Sequence, residues 1–233
     1  MSEFVTAPPP PSSPSQPGYD FVKPFGFVFQ DRDWLSKILI GGLFEIASIF
    51  IIGIFFVAGY CARLARNVIA GMESPLPDWN DLGEYFAEGL RLACIVLVYA
   101  IPVAILAGVI FVPAAIMSSS GHDILENLGG GMMACAWCLF FPISLALAIY
   151  LPAALLFSVV EGTFGAAFDF GRILRFIRDN AANYILAFVV YLIARFAVPL
   201  GLIALCIGIF FTGFWAMVVA TFAFAQAYRL RRI

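Results

Sequence analysis

Charged side chains are scarce in this sequence. Only 12% of the 233 residues are Asp, Glu, Lys or Arg, whereas 63% are hydrophobic. Soluble domains carry roughly 25% charged residues, so a chain with about half that share cannot cover a surface that faces water. Asp, Glu, Lys and Arg are absent from 92–122, 127–160 and 196–228, where His122 is the one other ionisable residue besides Cys and Tyr, and each segment exceeds the roughly 20 apolar residues that cross a bilayer. We therefore predict an all-α, multi-pass integral membrane protein.

The signatures of several function classes are also missing. No run of basic residues suits nucleic acid, and the sequence has no phosphate-binding glycine loop, nucleophile elbow or HExxH zinc motif. The five cysteines lie in or beside apolar segments, unlike the cysteines of a secreted disulfide framework. These absences predict a protein that is not an enzyme and that binds neither a cofactor nor nucleic acid.

The first residues differ in composition from the rest of the chain. Residues 7–17 read APPPPSSPSQP, a Pro/Ser tract without the apolar stretch that a secretory signal needs. Such a tract cannot bury enough surface to fold. We predict a disordered cytoplasmic tail over residues 1–18 and a single transmembrane domain over residues 19–233, whose first apolar segment is an uncleaved anchor.

Four apolar blocks carry the predicted spans: Trp34–Val68, Leu90–Met117, Met132–Val160 and Tyr184–Tyr228. The last block has 45 residues, and a single helix of that length would far exceed the thickness of a bilayer. Pro199 and Gly201 mark a break within it. We expect a bundle of about six transmembrane helices arranged as three hairpins, at about 34–70, 88–160 and 182–230.

The distribution of Lys and Arg favours a hairpin in the first block, because positive residues collect in cytoplasmic loops. A hairpin places all twelve cations outside the spans on one side, with both termini cytoplasmic, whereas a single span divides them nine to three. The turn is expected at Ala47–Phe50, which leaves a first arm of about 14 residues, short for a span. A re-entrant arm, a locally thinned bilayer and one long tilted helix therefore stay open.

Short amphipathic segments precede the predicted hairpins. There are three such segments, 21–29, 79–86 and 170–177, and in each of them aromatic and aliphatic residues recur at helical spacing. Such helices lie in the membrane plane or pack on the end of the bundle, and the two arrangements are compatible. Phe25–Gly26 aligns with Phe170–Gly171, and Trp34 with Tyr184, which indicates a repeated unit of an amphipathic helix and a hairpin.

Three stretches within the first ninety residues carry a family resemblance. They are GYDFVKPFGFVFQDRDWLSKILIGG (Gly18–Gly42), GYCARLARNVIAG (Gly59–Gly71) and PLPDWNDLGEYFAEGLR (Pro75–Arg91). These stretches resemble an uncharacterised family of archaeal and bacterial membrane proteins, domain of unknown function 4013. The resemblance implies a polytopic protein of the prokaryotic plasma membrane, and it implies no activity and no site residue.

Glu45 and Arg195 are the ionisable residues placed deepest in the predicted spans. Each lies eleven residues after an interfacial aromatic, Trp34 or Tyr184, which is about 16 Å along a helix and near the middle of the bilayer. A lone charge there costs at least about 2.5–3.5 kcal/mol. We predict an intramembrane Glu45–Arg195 ion pair that joins the first and last hairpins. In one interpretation this pair holds the helices together without a role in transport, and in another it forms a gate or a solute-binding site. In the third, the two residues do not pair.

Two further groups are candidates for chemistry. Cys135 and Cys138 form a CxxC, and thiols at i and i+3 share one helix face, as a redox protein that works beside a quinone requires. The second, shuttling cysteine pair of such systems is missing from the loop 118–131, so packing is the preferred interpretation. His122, Asp123 and Glu126 share that loop, but a metal needs three or four convergent ligands, and we predict no metal site.

These observations favour a non-enzymatic structural or accessory membrane protein. Its partners are the lipid bilayer and, in that interpretation, other membrane proteins or further copies of the chain. The alternative is a small-solute transporter or channel, suggested by Glu45, Arg195 and four prolines within the central blocks: Pro102, Pro113, Pro142 and Pro152. A membrane thiol-redox protein is the third candidate.

Overall fold

The structure is a computed structural model that describes residues 18–203 and 207–231. Every regular element within those residues is a helix and none is a strand, so the predicted all-α bundle is confirmed. Of the predicted tail, residues 1–18, only Gly18 lies within the described part of the chain.

Eight α-helices are formed by the described residues. They are α1 (Lys23–Gly26), α2 (Trp34–Ala47), α3 (Ile52–Ala70), α4 (Leu82–Ser118), α5 (Asp123–Glu161), α6 (Phe170–Asp179), α7 (Ala181–Ala197) and α8 (Gly208–Arg229). Short 3-10 helices adjoin or connect them at Phe27–Gln30, Ser48–Phe50, Gly165–Phe168 and Val198–Ile203.

The chain reverses between α2 and α3, where the distribution of cations predicts a turn. Residues Ser48–Phe50 form a 3-10 helix, and Ile51 then adopts a φ of 70°, unusual for a β-branched residue. Phe44 stacks on Phe56 with ring centroids 4.7 Å apart. Gly53 packs directly against the Phe44 carbonyl, in a space that a Cβ would fill. One long helix through the first block is therefore excluded.

Five helices are long and apolar enough to cross a membrane: α3, α4, α5, α7 with its extension to Ile203, and α8. The α2 helix has 14 residues, about 21 Å at 1.5 Å per residue, and falls short of a hydrocarbon core of about 30 Å. Five helices thus fit a multi-pass membrane protein, while a sixth span through α2 stays a prediction.

The central hairpin is much longer than the other two. The α4 and α5 helices have 37 and 39 residues, about 55 Å or more each, and continue through the prolines within them. No α4 residue between Ile95 and Ala114 is buried. Near the turn, Gly129 of α5 approaches the α4 backbone at Ala114 so closely that a Cβ would not fit. The half of this hairpin that is nearer to its turn, which we call its outer part, thus exposes most of its apolar surface.

The α8 helix is the most buried element, with twelve buried residues. Gly41 and Gly42 of α2 leave space for the rings of Phe214 and Phe211 of α8. Trp79, from the segment that follows α3, stacks on Tyr60 at 4.3 Å between ring centroids. The core therefore forms where small residues of one helix meet aromatic residues of the next.

The amphipathic segments pack on one end of the bundle. Residues 21–29 contribute to α1 and its 3-10 extension, 79–86 lead into α4, and 170–177 form α6. In α6, Ile173 and Phe176 are buried while Phe170 and Leu174 stay exposed. The helix therefore has both an inward face and an apolar edge that is free for contact with lipid.

Candidate functional site

A lateral cavity of about 630 Å³ lies among α3, α4, α5, α7 and α8. Its wall on α3 carries Ala58, Ala62 and Ala65, and its wall on α8 carries Ala216 and Ala220. These alanines recur at i, i+4 and i+7 or at i and i+4, so they share one face of each helix. The cavity exists because methyl groups stand where larger side chains would fill the space between the helices.

The cavity is continuous with the outer surface of the bundle. Leu97 and Met217 both line it, and they remain 57% and 37% exposed. The remaining lining is mostly aliphatic, and the four residues with polar side-chain atoms are Cys61, Tyr191, Arg195 and Thr221. In a bilayer, such an apolar opening faces lipid chains rather than water.

Arg195 brings the one formal charge to this lining. It lies two residues before the end of α7 at Ala197 and is exposed. Among the described residues, no acidic side chain lies within 4 Å of its guanidinium. An arginine in apolar surroundings without a paired carboxylate is costly.

Glu45 lies near Arg195 but not in contact with it. It is half-buried, two residues before the end of α2, and its Oε1 lies 3.9 Å from the position of a Cβ built on Gly213. Both residues lie two positions before the end of their helices, α2 and α7, at the same end of the bundle. The structure therefore brings the two predicted residues to the same region, while their ion pair stays a prediction.

The other sequence candidates lie away from the cavity. Cys135 and Cys138 are free, exposed cysteines in the outer part of α5. Asp123 and Glu126 belong to the first turn of α5, after His122. No group of three His, Cys, Asp or Glu residues that could hold a metal is found in the described part of the chain.

A buried carboxylate with two arginines was missed by sequence reasoning. Arg66 of α3 donates from Nη1 to Glu88 Oε2 of α4 at 2.8 Å, and Arg91 donates to Glu88 Oε1 at 3.0 Å. The same arginines cap α5: Arg66 Nε donates to the Val159 carbonyl at 3.1 Å and Arg91 Nη1 to the Gly162 carbonyl at 2.7 Å. Free carbonyls at a helix C-terminus favour such cations, so this cluster joins three helices.

Lys37 forms a second buried cluster. Its Nζ lies 2.8 Å from Asp31 and 2.9 Å from Asp78, and it donates to the Leu76 carbonyl at 3.1 Å. Burial by itself would raise the pKa of Asp31, but hydrogen bonds from Lys37, the Asp33 backbone N–H and Ser74 together hold that pKa below its ordinary value. The cluster thus fastens the segment after α3 to α2.

A polar cavity of about 560 Å³ adjoins both clusters. Its cations Lys37, Arg63 and Arg66 each have an acidic partner. Because these cations are already paired with acidic residues, we interpret the residues around the polar cavity as a structural network.

We call the side of the bundle that carries these residues the cationic end. The opposite side, with the turn after α2, is called the turn end.

Comparison with known protein families identifies the family of the chain. A family model described as "Protein of unknown function (DUF4013)" matches residues 46–209, which confirms the predicted family. The stretches Gly59–Gly71 and Pro75–Arg91 lie within the match, whereas Gly18–Gly42 lies outside it. The matched range includes the cavity walls on α3, α4, α5 and α7 and stops before most of α8. No curated protein and no solved structure matches the chain.

Proposed function

Since this chain belongs to the family of proteins of unknown function DUF4013, we propose its function from its own residues. It is a non-enzymatic accessory protein of the prokaryotic plasma membrane that binds a membrane-resident amphiphile in the lateral cavity. The observation that carries this proposal is the alanine-walled cavity of about 630 Å³, open to the surface of a membrane-spanning bundle.

The dimensions and the chemistry of the cavity support an amphiphile. Pockets for small ligands measure roughly 300–1,000 Å³ and combine an apolar lining with a few polar groups. Here the apolar lining includes Leu92, Leu155 and Phe224, and the polar groups are few. A molecule with one alkyl chain and one polar group matches that division, and it reaches the opening by diffusion in the membrane.

The orientation is part of the proposal. The clusters around Lys37 and Glu88 lie at the cationic end, which we assign to the cytoplasmic side because cytoplasmic loops collect Lys and Arg. With that assignment, both termini are cytoplasmic, and the turn between α4 and α5 faces outward. The turn between α4 and α5, with Ser118–Ser120, His122 and Asp123, is polar enough to lie in water.

Filling the cavity tests the proposal. Ala100 lines the cavity on α4, whereas Ala104, one turn further along the same exposed face, does not. We expect Ala100→Trp to abolish saturable binding of radiolabelled oleate and oleyl alcohol to the purified protein, and Ala104→Trp to leave binding unchanged. Absence of saturable binding to the unmodified protein, or equal loss in both variants, would contradict the proposal.

A transporter or channel is the second candidate, favoured by Glu45 and Arg195 near the turn end and by Pro152, which lines the cavity within α5. Kinked helices and intramembrane charges are common at transport sites. Proteoliposomes loaded with small labelled solutes test this candidate. Flux that depends on the protein and disappears in Glu45→Gln would favour transport over an accessory role.

Assembly with other membrane helices is the remaining part of the accessory proposal. The exposed outer part of α4 and α5 carries Ile105, Val109, Val112 and Phe141, a surface that a partner protein or a second copy of the chain would cover in place of lipid. Native mass spectrometry from a mild detergent reports the assembly. A strictly monomeric protein without copurified partners would contradict it.

A further inference from the structure

We infer that the amphiphile bound in the lateral cavity is a single-chain carboxylate, a long-chain fatty acid, whose headgroup pairs with Arg195. This inference rests on the proposed function and adds the chemical class of the ligand. It depends on one arrangement: a guanidinium that lines an apolar cavity and has no acidic partner within 4 Å among the described residues.

The guanidinium defines the headgroup. Arginine presents a planar fork of N–H donors that matches a carboxylate or a phosphate with two parallel hydrogen bonds. Arg195 is the one charged residue among those that line the cavity. A carboxylate with a single negative charge balances it, whereas a phosphate monoester would bring excess negative charge into an apolar site near Glu45.

The shape of the cavity defines the tail. Arg195 lies close to the turn end, and the α8 wall extends from Ala216 to Phe224 toward the cationic end, about 12 Å along the helix. Ala62 and Ala65 of α3 face the same space. One alkyl chain fits along this apolar wall below the headgroup, and a volume in the range of small-ligand pockets suits one chain better than a phospholipid with two.

Glu45 modulates this site without belonging to it. Its carboxylate does not line the cavity, but it lies two residues before the end of α2, at the same end of the bundle as Arg195 near the end of α7. The Glu45 carboxylate and a bound anion are therefore both attracted to the same guanidinium, and Glu45 weakens the binding of that anion. Replacing it with glutamine should strengthen the binding of a carboxylate and leave an uncharged amphiphile unaffected.

Three probes that share one alkyl chain and differ in the headgroup test the inference. They are labelled oleate, oleyl alcohol and oleyl phosphate, each titrated onto the full-length protein in a neutral detergent. We expect oleate to bind at least about tenfold more tightly than oleyl alcohol, a factor that corresponds to 1.4 kcal/mol. Arg195→Gln should remove this preference, because it should weaken the binding of oleate much more than the binding of oleyl alcohol. Arg195→Lys should retain part of it, and Glu45→Gln should increase it.

The outcomes separate the two proposals. Equal affinity for oleate and oleyl alcohol, or a preference that survives Arg195→Gln, would overturn the carboxylate assignment and leave the cavity proposal intact. Tighter binding of oleyl phosphate than of oleate would also overturn it in favour of a phosphate headgroup. If Arg195→Gln does not fold, the unmodified protein and Arg195→Lys still decide, because a preference for oleate that Arg195→Lys leaves fully unchanged contradicts the inference. No saturable binding of any probe would reject the proposed function itself.

Discussion

The Nζ of Lys37 lies 2.8 Å from Oδ2 of Asp31, at a site where both side chains are largely buried. Lys37 belongs to α2, and Asp31 belongs to the segment just before it. Asp78, from the segment after α3, approaches the same ammonium at 2.9 Å. A buried cation with several partners positions every segment that supplies one, so this pair orients the first hairpin against the cationic end.

The Asp31 pair predicts a dependence of stability on pH. The pKa of Asp31 is lowered in the folded protein, so the ionised form is favoured by folding. Its stabilisation is complete above the unfolded pKa of about 3.9 and is lost as the pH falls through the lower folded pKa. We expect Asp31→Asn to lower the unfolding temperature at pH 6, and the difference from the unmodified protein to shrink below pH 4.

Asp33→Asn is the matched control, because Asp33 lies two residues away, is exposed, and accepts no side-chain hydrogen bond at the start of α2. It should change the unfolding temperature little at either pH. A gap between Asp31→Asn and the unmodified protein that stays constant down to pH 3 would show that Asp31 is not the titrating group.

The Glu88 cluster predicts a large effect from a small change. The Glu88 side chain is 7% exposed between Arg66 and Arg91, and removing the carboxylate charge leaves two cations facing each other. Breaking a buried ion pair costs about 3–5 kcal/mol. Because both arginines are partly exposed, we expect Glu88→Gln to cost about 3 kcal/mol in the free energy of unfolding, measured in mixed detergent micelles.

Glu84→Gln provides the comparison on the same helix. Glu84 pairs with Arg63 at 3.1 Å, but its side chain is 52% exposed, and exposed pairs contribute about 1 kcal/mol or less. Equal losses in Glu84→Gln and Glu88→Gln would mean that the Glu88 cluster contributes no more than an ordinary surface pair.

The predicted Glu45–Arg195 ion pair is tested by exchanging the charges. The two side chains make no contact within 4 Å in the described structure, so we expect their coupling to be that of an exposed pair, below about 1 kcal/mol. A double-mutant cycle with Glu45→Arg and Arg195→Glu measures this coupling. A double variant several kcal/mol more stable than either single variant would instead establish a direct ion pair in the membrane.

The fold class and the first turn could be predicted because both leave local signals. Low charge content and long apolar segments indicate membrane helices, and the positions of Lys and Arg place a chain reversal near Ser48. The α2 helix shows the limit of this reasoning. Its polar start and its turn are visible in the sequence, but whether a helix of 14 residues crosses the membrane depends on how its neighbours position it.

The charged clusters and the cavity could not be predicted, because they combine residues that are far apart in the chain. Arg66 and Glu88 are 22 positions apart, and the Val159 carbonyl that Arg66 also binds is 93 positions away. From the sequence alone, these arginines indicated only which side of the membrane is cytoplasmic. The alanine spacing on α3 and α8 is visible, but a single sequence does not reveal that the two faces meet at an unfilled space.

The CxxC in α5 is predicted to have no redox role. Cys135 and Cys138 are exposed and lie in the outer part of the central hairpin, and the loop 118–131 beside them contains no second pair of cysteines. We expect both thiols to be alkylated in intact cells without a reductant, and Cys135→Ser with Cys138→Ser to leave the unfolding temperature unchanged. Recovery of a disulfide between them, trapped by alkylation before lysis, would revive the redox candidate.

Single cysteines in a cysteine-free background test the orientation of the membrane domain. Ser119 lies at the turn of the central hairpin, while the exposed residues Glu73 and Arg175 lie after α3 and in α6. A membrane-impermeant maleimide should label Ser119→Cys in intact cells, and Glu73→Cys and Arg175→Cys only after permeabilisation. Labelling of the latter two in intact cells would contradict the assignment of the cationic end to the cytoplasm.

Phe50→Cys extends the same experiment to α2. If the first hairpin crosses the membrane, its turn reaches the outer surface, and Phe50→Cys is labelled in intact cells like Ser119→Cys. If the hairpin is re-entrant, its turn ends in hydrocarbon, and Phe50→Cys resists the reagent before and after permeabilisation. We expect labelling at the outer surface, because lipid-exposed irregular backbone does not occur in hydrocarbon and residues Ile49–Ile51 are exposed at this turn. Resistance under both conditions would leave four complete spans, α4, α5, α7 and α8, and would place Glu45 deeper in the membrane.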